Sequence, residues 1–322
     1  MGLTLFHTNI LQDSMIQKRL MEALIEVIDN ERCGEIIDKT LVKDICKMLI
    51  SVGNDSRHIY AEFFETPFLQ HSTEFYQRES EKLLAENNAS DYIRKVFARI
   101  HEESERAIYC FDKSTENRIV QVMEEVLIRN HAKKVAEMEN SGVVYMLKSK
   151  KWDDLTMMYK LFQRVLDCHL IIDDCVNEYI QEQRKGLTSE NRDEEINHIR
   201  FVQNLFELKD VFEIICKILL DDNQSVEQRI KFNFNNDSNL NQHRTEYLPL
   251  VIENKLKKGV KSLDNEELVV LFKAMILLDY FKEKDFFEQY YQDFKGMLQK
   301  MMDNINENQF INNYVQVNLS ID

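Results

Sequence analysis

Asp173, Asp174 and Glu178 are the residues of this chain best spaced to hold a metal ion. They stand on an apolar helical stretch, and carboxylates one turn apart can bind Mg²⁺ and, through it, a diphosphate. A metal-dependent all-α enzyme would use them in that way. Such chemistry needs a second acidic motif on a facing helix, and none occurs at suitable spacing. A solvated acidic face is the ordinary reading. His101-Glu102 opens a string of zinc-protease type, but Glu105 stands where the metal requires a second histidine. Cys168 and His169 are sequence neighbours, so on a helix their side chains diverge by about 100°, and no oxyanion loop adjoins them. Phe281, Phe286, Phe287, Tyr290 and Tyr291 form an aromatic cluster suited to a partner-docking stripe or, more ordinarily, to core packing. None of these sets assigns a catalytic, cofactor-binding or metal-binding residue, and no cofactor is expected.

Composition narrows the function classes. The 322 residues suffice for two domains or one extended array. Two prolines and seven glycines are too few for the many tight turns of a β-sandwich or barrel. No Gly-rich loop is present to cradle a phosphate. A net charge of −15 opposes adhesion to nucleic acid or anionic membrane. The longest basic run, Lys255-Leu-Lys-Lys-Gly-Val-Lys261, is interrupted. The six cysteines include no Cys-x-x-Cys pair and mostly lie in apolar helical stretches, as free thiols of a reducing compartment do. No basic leader with a small-residue cleavage site opens the chain, and Phe6 stands where myristoylation wants Ser or Thr. No apolar run is long enough to span a bilayer. These features predict a soluble protein of the cytoplasm or nucleus.

The elements that position these residues read as helices throughout. The central stretch opens on a Pro-interrupted acidic-aromatic segment, Tyr60-Ala-Glu-Phe-Phe-Glu-Thr-Pro-Phe-Leu69. A helix is predicted from Thr66 to Ala85, broken at Asn87-Asn88, with the Ser90 hydroxyl capping the next. That next helix places Ile93, Val96, Phe97, Ile100, Ala107, Ile108 and Phe111 on one side, the 3.6-residue period. After a turn at Asp112-Lys113-Ser114-Thr115, a third helix turns Ile119, Val120, Met123, Val126 and Leu127 inward. Further helices are predicted over 15–28, 39–52, 152–166, 168–180, 196–220, 246–258 and 266–280. The segment 138–142 reads as a helix stop, 186–195 and 235–243 as loops, and 226–234 as the start of another helix. Long one-sided helices with short connections lie side by side. The fold class is therefore all-α, an elongated stack of divergent helical bundles.

Several strings in this order resemble one family, the cullins. They are Phe64-Glu-Thr-Pro-Phe-Leu69, Glu74-Phe-Tyr-Gln-Arg-Glu-Ser80, Leu84-Ala-Glu-Asn-Asn-Ala-Ser90, Asp112-Lys-Ser-Thr115, Glu137-Met-Glu-Asn-Ser-Gly142, the segment Asp153 to Val165, and Lys255-Leu-Lys-Lys-Gly-Val-Lys-Ser-Leu263. Glu283-Lys-Asp-Phe-Phe-Glu-Gln-Tyr-Tyr291 is similar to the family signature that follows the last helical repeat. Within the family the strings look most like the cullin-three class.

The resemblance implies a non-catalytic scaffold of cullin-RING E3 ubiquitin ligases, acting in ubiquitin-dependent protein catabolism. An arm of helical repeats would hold a BTB-domain adaptor away from the head that recruits a RING-box protein. It also implies a division into 1–13, the end of a truncated first repeat, then repeats at 14–135 and 136–262. Residues 263–302 would start the following helical bundle, and 303–322 would form a poorly ordered tail. On this reading both the adaptor-binding and the RING-binding regions are absent, and the scaffold is defective.

Overall fold

The structure, a computed structural model, describes residues 13–53, 56–187, 194–219, 247–255, 257 and 265–281. Among these residues every regular element is helical. The chain divides into two compact units, Met1–Glu178 and Tyr179–Asp322.

Four helices of the first unit start where a short acidic or amide side chain accepts orphan amides. Asp13 accepts from Met15 and Ile16 N–H to open α1, Ser14–Arg32, and Asp38 accepts from Thr40 and Leu41 N–H to open α2, Lys39–Val52. Gly34, at φ +96°, lets the chain leave α1, with Glu35 N–H returning to Asn30 O. Pro67 does not interrupt the next element as its sequence suggests. The chain is helical from α3, His58–Tyr60, through a π-helical turn, Ala61–Glu65, into α4, Thr66–Glu86. Proline returns no N–H to the preceding turn, and the wider turn absorbs the mismatch, with Thr66 N–H reaching Ala61 O.

The helix α5 spans Ala89–Cys110, and its cap corrects the expectation for Ser90. Asn88 Oδ1 accepts from Asp91 N–H at 2.9 Å, while Ser90 Oγ is directed elsewhere. The inward face of α5 is also corrected: Ile108 is 64% exposed, and Glu103 and Arg106 are buried. Val120, expected inward on the third helix, is only half-buried. That helix is α6, Lys113–Met123, continued by a second π-helical turn, Glu124–Arg129, and by α7, Ala132–Ala136. The chain is non-helical over 138–142, as expected, after α7 ends at Ala136, and Gly142 lies at the entry of α8, Val143–Lys148. A Cβ there would stand 2.2 Å from Ala136 O, so close backbone approach demands glycine.

Two predicted boundaries move. Helix α9 covers Trp152–Phe162 and stops short of Leu166, because turns through Arg164 and Asp167 (φ 65°) redirect the chain and leave Leu166 exposed. Helix α10, His169–Leu187, runs past Ile180 through Gly186, which was expected in a loop; its continuation is rich in Gln, Glu, Arg and Lys, all good helix formers.

The core of the first unit gathers Leu24, Ile28, Val42, Cys46, Leu49, Tyr60, Phe64, Phe68, Ala107 and Ile119. Phe64 and Phe68 stack at 5.2 Å, and Phe111 closes on both at 5.1 and 4.9 Å. In the second unit α11, Glu194–Leu219, packs on α12, Asn265–Phe281. Phe201, Leu205 and Phe212 of α11 and Leu271, Met275 and Leu277 of α12 are buried, as are Leu248, Val251 and Ile252 of the helical residues 247–255. The expectations for residues 1–12, 226–243, the 283–291 motif and the 303–322 tail fall outside the described residues.

Candidate functional site

The acidic set singled out from sequence does not converge. Asp174 and Glu178 are exposed on α10, and Asp173 is half-buried. Among the described residues no group of three His, Cys, Asp or Glu side chains is arranged to hold a metal ion. His101 Nε2 lies 3.4 Å from Glu105 on an exposed helix face, the surface pair its spacing suggests. Cys168 lies in the turn before α10, where burial raises its thiol pKa, and the His169 ring meets Tyr159 edge-on at 6.3 Å. Phe286, Phe287, Tyr290, Tyr291 and the side chain of Phe281 lie outside the described residues.

The charge chemistry of this chain sits elsewhere, inside the first unit. Glu103 on α5 is fully buried. It accepts Arg32 Nη2–H at 2.8 Å and Nε–H at 3.2 Å, the forked pairing of guanidinium and carboxylate. It also accepts from the Tyr76 hydroxyl and from Arg106 Nη1. Arg32 donates further to Ser72 Oγ at 2.8 Å and Asp29 Oδ1 at 3.1 Å. Its guanidinium lies over Phe75 and Tyr76, 4.9 Å from each ring centroid. Arg106 Nε reaches Glu31 at 2.6 Å, which Lys39 also pairs at 2.7 Å. One carboxylate thus joins α1, α4 and α5.

Burial alone would push the Glu103 carboxyl up, but the two guanidiniums and the Tyr76 hydroxyl outweigh it and hold it below the ordinary range. Tyr76 is held well above its ordinary value by burial and by the Glu103 charge. The carboxylate is therefore ionised, sealed from solvent and saturated with donors. It has no capacity left for a substrate proton, and a general base needs the opposite. Its chemistry is structural.

A second carboxylate, Glu65, is also fully buried. Glu65, in the π-helical turn, accepts Arg57 Nη2–H at 2.9 Å, Thr115 Oγ1–H at 2.7 Å and Arg118 Nη1–H. Since Thr115 spends its proton on Glu65, the Tyr60 hydroxyl donates to Thr115 Oγ1 at 2.9 Å. Arg57 Nε also pairs Asp112 at 2.7 Å.

The third polar feature lies between α5 and α9. Ser90 Oγ donates to Asp154 Oδ2 at 2.7 Å, Arg94 pairs with the same carboxylate, and Ser141 Oγ accepts Ala89 N–H at 3.0 Å. An open recess of about 350 Å³, lined by Asn88, Asp91, Asn140, Tyr145 and Lys151 beside these residues, adjoins the contact.

Periodicity did hold a signal for the first of these nodes. Arg32 follows Leu24 and Ile28 at four-residue steps, and Glu103 stands between Ile100 and Ala107 in the buried register of α5. Opposite charges on two core registers are the mark of a buried pair.

Comparison with known proteins places these features in a wider set. The Cullin alpha solenoid domain matches residues 1–300. Cullin-3 of Dictyostelium discoideum is 36% identical over 293 residues, which cover 91% of this chain and 38% of that protein. Cullin-3A of Arabidopsis thaliana is 34% identical, with 91% and 40% covered, and Cullin-3 of Caenorhabditis elegans is 32% identical, with 91% and 39% covered. The chain spans about two fifths of the length of these curated relatives.

Proposed function

The chain belongs to the cullin family, and on that premise we propose that it is a non-catalytic scaffold segment of a cullin-RING E3 ubiquitin ligase. Its work is to hold bound partners at a set geometry, and its repeats are residues 14–135 and 136–262, with a further helical bundle beginning at 263. The observation that carries this reading is the continuous family match over residues 1–300. The buried carboxylates support it. Glu65 and Glu103 are spent on tying helices together, and Asp174 and Glu178 of the set spaced for metal chemistry are exposed to solvent.

The partners of such an arm are a BTB-domain adaptor and a RING-box protein. A chimera tests the scaffold role: this chain replaces the matching segment of the Dictyostelium Cullin-3. The expected result is a complex that retains both partners and still ubiquitylates an adaptor-bound substrate. A chimera that melts normally and retains both partners yet fails to transfer ubiquitin would overturn the scaffold reading. Pulldown by the present chain alone reports which of the two partners, if either, is gripped within it.

A further inference from the structure

We propose that Asp154 is the positioning residue of this arm, setting the angle at which α9 meets α5 and hence how one repeat joins the next. The inference rests on the scaffold reading and on its division between residues 135 and 136. The two kinds of contact at this joint do different work. Leu155 and Met158 are fully buried, and apolar burial holds α9 in place. That force follows area and has no preferred direction, so it leaves helix orientation loosely determined. Hydrogen bonds do have a direction. Between α9 and α5 they converge on one carboxylate, whose side chain is only 13% exposed: Ser90 at 2.7 Å and Arg94 beside it, with Ser141 receiving Ala89 N–H at 3.0 Å on the same seam; the pair of Arg164 with Glu124 at 2.9 Å lies beyond the end of α9 and meets the π-helical turn, not α5.

Two further observations favour an orienting role. Ser90 stands in the first turn of α5, yet its hydroxyl is turned across the seam and the capping is left to Asn88. The seam also borders the open polar recess, so no tight apolar packing on that side would preserve the angle once the polar contacts were lost. The Glu103 node differs, because all of its members lie within the 14–135 repeat. It can stiffen that repeat but cannot orient the next.

The test uses the full chain carrying nitroxide-bearing unnatural amino acids, which avoids its six cysteines. One label pair spans the joint at the exposed positions Glu105 and Lys160; the control pair, Glu22 and Glu105, lies within one repeat. Pulsed electron-electron resonance should show that Asp154→Ala broadens the Glu105–Lys160 distance distribution, with the control distribution and melting midpoint unchanged. Asp154→Asn, which keeps an acceptor for Ser90 but loses the charge, should give an intermediate width. Arg94→Met attacks the same contact from the other side and should broaden the joint pair even if the Asp154 variants fold poorly. An unchanged joint distribution in Arg94→Met and the Asp154 variants would overturn the proposal, as would equal broadening of both pairs. Distances that behave as expected in a chimera that cannot transfer ubiquitin would count against the scaffold reading alone.

Discussion

Glu103 on α5 and Glu178 on α10 are the same residue on two long helices, and their surroundings could hardly differ more. Glu178 keeps its water and stands on an exposed face beside Asp174. Glu103 has none and is held by two guanidiniums and a phenol. The acidic stretch of α10 is the more conspicuous in sequence because its charges are crowded; the Glu103 region is the more consequential because its charges are buried. Clustering of charge along a chain says little about function until burial and pairing are known.

The widest separation between the two regions should come from removing the carboxylates in turn. Glu103→Ala is expected to cost about 3–5 kcal/mol in denaturant unfolding, since Arg32 and Arg106 are left charged in the interior. Replacing Arg32 and Glu103 together by methionine should recover most of that loss, because no charge at the pair is then stranded and Arg106 retains Glu31. The same node sets the acid limb. Its carboxyl is held below the ordinary value of 4.5, so its contribution is fully present above that pH and is lost as pH falls through the lower folded value. The Glu103→Ala variant should therefore show a flatter acid-unfolding curve than the parent.

Glu65→Ala should cost less, about 1–3 kcal/mol, because Arg57 and Arg118 reach solvent and only the Thr115 hydroxyl is left with an unmet proton. A Glu65 effect equal to that of Glu103 would erase the distinction drawn between sealed and half-open nodes. His131 should contribute the smallest change. Its Nε2–H donates to Ser80 Oγ at 2.9 Å, as Ser80 spends its own proton on the Gln77 carbonyl. Burial and then Lys134 lower its pKa from 6.5, so the folded state prefers the neutral ring. Stability should be steady above pH 6.5 and decline as pH falls from there through the folded value, ahead of the carboxylates. His131→Gln should remove that early decline and leave the deeper acid transition in place.

Much of the helical order was legible in the residues. Apolar steps such as Leu24, Ile28 or Leu155, Met158, Phe162 locate α1 and α9 because a helix must bury one stripe. Caps and ends were harder. Ser90 and Asn88 are both good capping residues, and only the position of Asp154, far along the chain, decides which of them is free to cap. Pro67 looks like a break because a single-sequence reading does not anticipate a π-helical turn that admits it. The residue types of Glu103 and Arg106 give no sign of burial, because the partners that make it possible come from helices tens of residues away. No local pattern announces Glu65, whose partners Arg57, Thr115 and Arg118 come from two separate segments.

Glu65 and Glu103 serve the geometry of the helices, and Asp174 and Glu178 on α10 are expected to hold no metal ion. Urea unfolding of the parent chain and of the Asp174→Asn/Glu178→Gln variant, each with and without millimolar Mg²⁺, tests this most directly. All four midpoints should agree within about 0.5 kcal/mol of stability, as for surface substitutions that bind nothing. A rise in the parent's midpoint with Mg²⁺ that the variant lacks would reveal a metal site on α10 and contradict the account.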